Sequence, residues 1–234
     1  MVKGKRITKR QLKEPDEFIT ITERAFVFIR QHTKKIAAAG VILLVLILAA
    51  VFFQMWEKRK EEDAARAFGV ALEISGRGVA QGQEGSAQDF KAVLEKFDEI
   101  ILKFPRTSSG KISLVFKGNI LLKLDEYDEA IKAYTLFLDK AGKERIYQYF
   151  AWEGLGHAYE GKKDYAKALE AYKKILDIGE GYQLAEAHLT IAYCYEKLGK
   201  NKEALESFKA FLNSSQKSSL TNPIIRKVSY LEKK

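Results

Sequence analysis

Residues 149–176 read YFAWEGLGHAYEGKKDYAKALEAYKKIL. Trp152, Leu155, Gly156 and Tyr159 recur at helical spacing, the run breaks at Lys163-Asp164, and Ala168 and Tyr172 resume it. That pattern predicts two helices joined by a tight turn. It occurs three times. An earlier copy from Lys111 carries Gly118, Leu121, a turn at Asp125-Glu126, Ala130 and Tyr134, and a later copy from Ala185 carries Ile191, Ala192, Tyr195, a turn at Gly199-Lys200, Ala204 and Phe208. The small residues Gly118, Gly156 and Ala192 let each first helix approach its partner closely. Ala130, Ala168 and Ala204 do the same on each second helix, and the aromatics fill the gaps between. One helical pair cannot bury its apolar side alone, so the pairs must stack. The predicted fold is all-α, a solenoid of helical hairpins.

These residues resemble the tetratricopeptide repeat over roughly 105–213. The middle copy matches best, with Trp152, Leu155, Gly156, Tyr159, Ala168 and Tyr172 in register. The first copy departs from the pattern at Lys117, and the third has His188 and Ala192 for the usual tryptophan and glycine. Spacings of 38 (Gly118 to Gly156) and 36 (Ala168 to Ala204) imply longer turns at Ala141-Gly142-Lys143 and Gly179-Glu180-Gly181. The resemblance implies a surface that binds other proteins, and no catalysis.

Outward from the repeats, Ala64–Ile74 reads as helix and Ser75–Ser86 (SGRGVAQGQEGS) as a glycine-rich loop. Ala87–Phe104 is helical again, with Phe97, Ile100 and Ile101 inward and Pro105 as its stop. These make a degenerate leading unit. Asn222-Pro223 begins a short final helix, read as a cap on the last hairpin.

Ile36–Trp56 (IAAAGVILLVLILAAVFFQMW) carries no charge, is apolar on every helical face, and is as long as the hydrocarbon core of a bilayer is thick. Lys34-Lys35 and Glu57–Lys60 bound it, and Phe52, Phe53 and Trp56 suit an interfacial aromatic belt. No small-x-small cleavage site follows, so it reads as a retained single span that contacts membrane lipid. Residues 1–35 hold ten basic groups against four acidic, +6 of the chain's net +9. That asymmetry predicts a cytoplasmic N-terminus and a large C-terminal part on the far side. Before the span, Pro15-Asp16 looks like a helix start, and Phe18, Ile21, Ala25, Phe28 and Ile29 recur at helical spacing. They fit either a helix lying on the membrane or a plain extension. No aromatic-interleaved basic motif points to nucleic acid.

The expected organisation is a basic tail (1–35), a transmembrane helix (36–56), a connector with the degenerate unit (57–105), three repeats (106–213) and a capping segment (214–234). This arrangement resembles the YfgM-like proteins of bacterial inner membranes. The resemblance rests on the anchor, Ala64–Phe68, the Lys103-Phe104-Pro105 turn and the repeats; the glycine-rich loop departs from it. It implies a periplasmic repeat domain ancillary to the SecYEG translocon and linked to periplasmic chaperones or their clients. A structural adaptor in envelope assembly or cell division is the alternative.

No catalytic constellation, cofactor motif or metal site is legible. His32, His157 and His188 are dispersed, no Lys-Ser/Thr follows the glycines at 76–85, and the single Cys194 sits in an apolar helical pattern as a core residue. Repeat register places Val115 and Asn119, then Glu153, His157 and Glu160, then Leu189 and Tyr193 on a concave protein-binding face, with Ile112, Leu122, Phe150, Glu186 and Glu196 beside them. Chaperone-binding relatives in this repeat family clamp an acidic C-terminus there with basic residues and asparagines. Only Asn119 fits that clamp. The mixture of apolar and acidic groups suits a segment with apolar anchors and basic flanks instead.

Overall fold

The computed structural model describes the backbone of residues 17–80, 87–140, 144–214 and 219–233. The basic groups before residue 17, the Pro15-Asp16 helix start and the Ala141-Gly142-Lys143 turn lie outside the described residues. Ten helices and no strand occur among those described: α1 (Glu17–Gln31), α2 (Thr33–Ala80), α3 (Ala87–Lys103), α4 (Ser108–Lys123), α5 (Tyr127–Lys140), α6 (Arg145–Gly161), α7 (Tyr165–Ile178), α8 (Tyr182–Lys197), α9 (Asn201–Ser214) and α10 (Thr221–Leu231). The all-α expectation holds. The chain divides into two compact units, 1–58 and 59–234.

In the first unit, the apolar stretch of α2 is exposed on every side; Val41, Leu44, Leu48 and Phe52 are all open. Helix α2 is long and apolar enough to cross a membrane, with a mean hydropathy of 3.1 in its most apolar window and none of that window buried.

One expectation fails in α2. The glycine-rich segment was expected to be a loop from Ser75, yet the helix continues to Ala80. Each interior glycine costs a helix about 1 kcal/mol. A helix already nucleated over dozens of residues adds one backbone bond per residue and extends through Gly76 and Gly78. The rest of the expected loop, 81–86, lies outside the described residues.

In the second unit, α4–α5, α6–α7 and α8–α9 pack as hairpins, α3 packs on α4, and α10 on α9. The buried part of α2 joins α3 through Ala64, Ala71, Val93, Phe97 and Ile100, with Phe68 edge-on to Phe116 of α4. Helix α10 inserts Ile224, Val228 and Leu231 against Ala192, Phe208 and Phe211.

The rule inside each hairpin is one aromatic against one small residue. Tyr134, Tyr172 and Phe208 are fully buried. A Cβ built on Gly118 would lie 2.6 Å from the Tyr134 ring, and one on Gly156 2.3 Å from the Tyr172 ring. In the third hairpin Ala192 packs in the same cluster as Phe208. The two helices meet where the first has no side chain to hold them apart.

The three turns are also copies of one another. Asp125, Lys163 and Gly199 adopt φ of 59°, 61° and 72°. In each, the following amide bonds back to a carbonyl five residues earlier: Glu126 to Leu121 (2.9 Å), Asp164 to Tyr159 (2.9 Å) and Lys200 to Tyr195 (2.9 Å). This is the left-handed helix stop that satisfies the last carbonyls. Only Gly199 takes that conformation without a Cβ penalty; Lys163 holds it at a cost of roughly 1 kcal/mol. Asp164 then starts α7 by accepting from the Lys167 amide at 3.2 Å.

Candidate interaction face

Helix α4 packs on α6, Glu160 of α6 meets Cys194 of α8, and the exposed groups of these first helices are built on the buried aromatics. The Tyr134 hydroxyl donates to Asn119 Oδ1 at 2.6 Å. Fifteen residues before Tyr172 stands His157, as Asn119 stands before Tyr134. The Tyr172 hydroxyl donates to Glu160 Oε2 at 2.6 Å and lies 2.9 Å from Nδ1 of His157. That nitrogen is 3.3 Å from the same Glu160 oxygen. In the third hairpin the pair is Tyr193 and Phe208, which meet edge-on at 5.3 Å because phenylalanine has no hydroxyl to offer. Each buried ring therefore fixes one surface residue of the row Asn119, His157, Tyr193.

Glu153 accepts from the Tyr149 hydroxyl at 2.7 Å. Tyr149 stacks edge-on with the exposed ring of Phe150 at 5.3 Å. From α8, the Cys194 thiol reaches Glu160 Oε1 at 3.8 Å. Cys194 is buried, as its helical pattern predicts; burial, and then the Glu160 charge, push its pKa up to about 12. It is not a ready nucleophile.

Five of the seven expected contact residues reach this surface: Asn119 and His157 are exposed, Glu153 and Glu160 half-buried, and Tyr193 is 38% exposed. Two do not. Val115 is 1% exposed and Leu189 6%. The next stacked helix covers each: Ala151 and Leu155 of α6 join Val115 in one core cluster, and Ile224 and Val228 of α10 join Leu189 in another. They are packing residues and are withdrawn from the contact set. Sequence reasoning also missed Lys227 of α10, whose Nζ lies 2.8 Å from Glu196 Oε2. Nothing in the spacing of α10 pairs it with α8; the packing of α10 against α9 does.

Hydrogen bonding to Glu160 raises the His157 pKa above the usual imidazole value, outweighing burial, which lowers it. Burial opposes the charged form of Glu160, but the bonds from His157 and Tyr172 carry its pKa below the usual carboxylate range. The histidine's contribution to stability is complete below its unfolded pKa of about 6.5 and is lost as pH rises through its higher folded value. The carboxylate's contribution is present above about 4.3 and is lost as pH falls through its lower folded value. Both operate together between roughly pH 4.5 and 6.5. Thermal melts of His157→Ala and the parent chain should therefore differ most near pH 5.5 to 6 and converge as pH rises above the folded pKa of His157. A difference independent of pH across that range would mean that the ion pair contributes nothing.

Sequence profiles of the tetratricopeptide repeat match residues 117–183 and 185–218. Those residues are tetratricopeptide repeats. The described fold is similar to a tetratricopeptide repeat protein from Parabacteroides merdae, at 20% identity and a TM-score of 0.57 over 72% of this chain and 61% of that one. It is also similar to a MamA fragment from Desulfovibrio magneticus RS-1, at 21% identity and a TM-score of 0.52 over 66% and 78% of the two chains. A double mutant of MamA gives 20% identity and a TM-score of 0.51 over 68% and 79%. At such identities the likeness is one of fold. No curated protein matches the chain. The tetratricopeptide repeats begin within α4 and run past α9, so the row Asn119, His157, Tyr193 falls wholly within them.

Proposed function

We propose that the chain is a membrane-anchored scaffold: residues 36–56 cross a bilayer, and the shared face of α4, α6 and α8 engages protein partners. The observation that carries this reading is the row of surface groups, each held in place by the buried ring of its own repeat. A partner meets side chains that are already ordered, so binding loses little further rotamer freedom. The segment boundaries at 36–56, 57–105, 106–213 and 214–234 are part of the proposal. The basic excess before the span supports a cytoplasmic N-terminus and a periplasmic repeat region. The resemblance to YfgM-like proteins supports work ancillary to protein translocation or periplasmic chaperoning at the inner membrane.

The test is site-specific photocrosslinking in native membranes. A photoreactive residue at Glu153 or Tyr193 should form adducts with translocon subunits or periplasmic chaperones, and one at Glu170, exposed on α7, should not. Adducts with outer-membrane assembly or division proteins would replace the translocation reading with that of an envelope adaptor. Adducts from Glu170 alone would move the partner surface to the opposite side of the hairpins. A periplasm-active reporter fused after Lys234 checks the orientation; a stable but inactive fusion reverses it.

A further inference from the structure

We infer that the partner segment carries lysine or arginine, seated on this face between a carboxylate and an aromatic ring; the inference rests on the reading of the face as a partner surface. The chain already fills one such seat itself. Glu196 stands 36 residues after Glu160, and the two carboxylates occupy equivalent positions. Glu160 takes its hydrogen bond from the Tyr172 hydroxyl. The equivalent ring, Phe208, has none, and the Lys227 ammonium takes its place on Glu196 at 2.8 Å. That ammonium also lies 5.7 Å from the centre of the Tyr193 ring and 5.9 Å from that of Phe208. A cation held by a carboxylate and two ring faces is a seat for Lys or Arg. Its Lys227 and Glu196 side chains are about one-third exposed, so it opens to solvent.

The same ingredients continue along the face, where among the described residues neither Glu153 nor Glu186 is paired with a lysine or arginine. Phe150 presents a ring that is 38% exposed, one turn from Glu153, whose hydrogen bond comes from the neutral Tyr149 hydroxyl. Glu186 is exposed two turns before Tyr193 on α8. No lysine or arginine stands at 150, 153, 157 or 160 of α6, nor at 186, 193 or 196 of α8. Charge complementarity then selects a basic protein segment. An acidic tail or an anionic lipid headgroup meets like charge. Lys227 neutralises one end of the row and leaves Glu153 and Glu186 to the partner.

The experiment uses the full chain in non-ionic detergent and two fluorescein-labelled helical peptides: one of leucine and lysine at amphipathic spacing, the other with every lysine replaced by glutamate. Fluorescence anisotropy should show the lysine peptide binding at least tenfold more tightly than the glutamate peptide. Glu153→Gln with Glu186→Gln should weaken it at least fivefold with an unchanged circular dichroism spectrum. Lys227→Met, which keeps the apolar stem and removes the ammonium, should tighten it severalfold by vacating the third seat. Equal binding of the two peptides, or indifference to all three substitutions, overturns the inference. Photocrosslinks to native partners at Tyr193 that survive Glu153→Gln and Glu186→Gln would overturn this chemistry while leaving the face as the partner surface. Their absence at both Glu153 and Tyr193 would remove the face itself.

Discussion

Gly156→Leu should abolish the cooperative unfolding transition of the repeat region or lower its stability by more than about 3 kcal/mol, a large part of the roughly 5–15 kcal/mol that holds a domain folded. The first added carbon alone would stand 2.3, 2.5 and 2.7 Å from three atoms of the Tyr172 ring. The ring cannot swing aside freely. It is fully buried, and its hydroxyl is bound between Glu160 and His157. Leucine must therefore separate α6 from α7, which costs the burial of Tyr172, Ala168 and Leu169 together. Gly156→Ala should be milder, because the third repeat sets Ala192 against Phe208, a ring with no hydroxyl tether. Adding Tyr172→Phe to Gly156→Ala should then recover part of the loss, since it frees the ring to shift, and the double-mutant cycle should show clear coupling. Denaturant melts of the full chain in detergent, followed by circular dichroism, supply the measurement. A Gly156→Leu chain with an unchanged midpoint would place residue 156 away from any helix contact.

The hairpins and their register were legible because they rest on one local rule: a small residue and an aromatic sixteen positions apart, with a turn between. Gly118 and Tyr134, Gly156 and Tyr172, and Ala192 and Phe208 all obey it, and α4 to α9 fall where that rule puts them. The proposed interaction face was legible only as a stripe. Helical periodicity assigns Val115 and Asn119 to the same side of α4. It cannot say that α6 closes over Val115 and leaves Asn119 open, because that depends on the angle at which the repeats stack. Leu189 was lost in the same way to α10. The bonding of Glu153 and Glu160 was not visible in the sequence. The place of Lys227 opposite Glu196 follows from how α10 packs on α9, and the Tyr172 hydroxyl becomes a bridge only once α6 and α7 are in contact. The extent of α2 past Ser75 is not legible from local composition, because the long helix that precedes the glycines carries them to Ala80.

Gly110→Ala should destabilise the start of the repeat region by about 3 kcal/mol or more, although alanine is the better helix former and ordinarily stabilises a helix by up to 1 kcal/mol over glycine. A Cβ at this position would lie 1.9 Å from the Phe104 carbonyl oxygen and 2.8 Å from its carbon. These are backbone atoms, and no rotamer change relieves them. The turn is locked on every side. The Phe104 carbonyl accepts from the Thr107 amide at 3.2 Å and from the Thr107 hydroxyl at 2.8 Å. All four leading amides of α4 are also satisfied: Ser108 and Ser109 by the Glu61 carboxylate at 2.8 and 3.2 Å, Gly110 by Thr107 Oγ1 at 3.0 Å, and Lys111 by the Thr107 carbonyl at 3.1 Å. A helix start with no orphan donor and a carboxylate against its positive end is well determined. Glu61 belongs to α2, so displacing this turn also releases the carboxylate that ties α2 to the first repeat. Glu61→Gln should cost less, about 1 kcal/mol, because the amide oxygen still accepts while the charge is lost. Amide hydrogen exchange of the full chain separates the two variants. Gly110→Ala should lose protection across 104–111 and along the Ala64–Ala71 stretch of α2, whereas Glu61→Gln should lose it at Ser108 and Ser109 alone. Full protection in the Gly110→Ala chain would show that α4 can start without the Phe104 carbonyl at its first turn, and that the apolar contacts of α2 with α3 and α4 hold it in place without the Glu61 carboxylate.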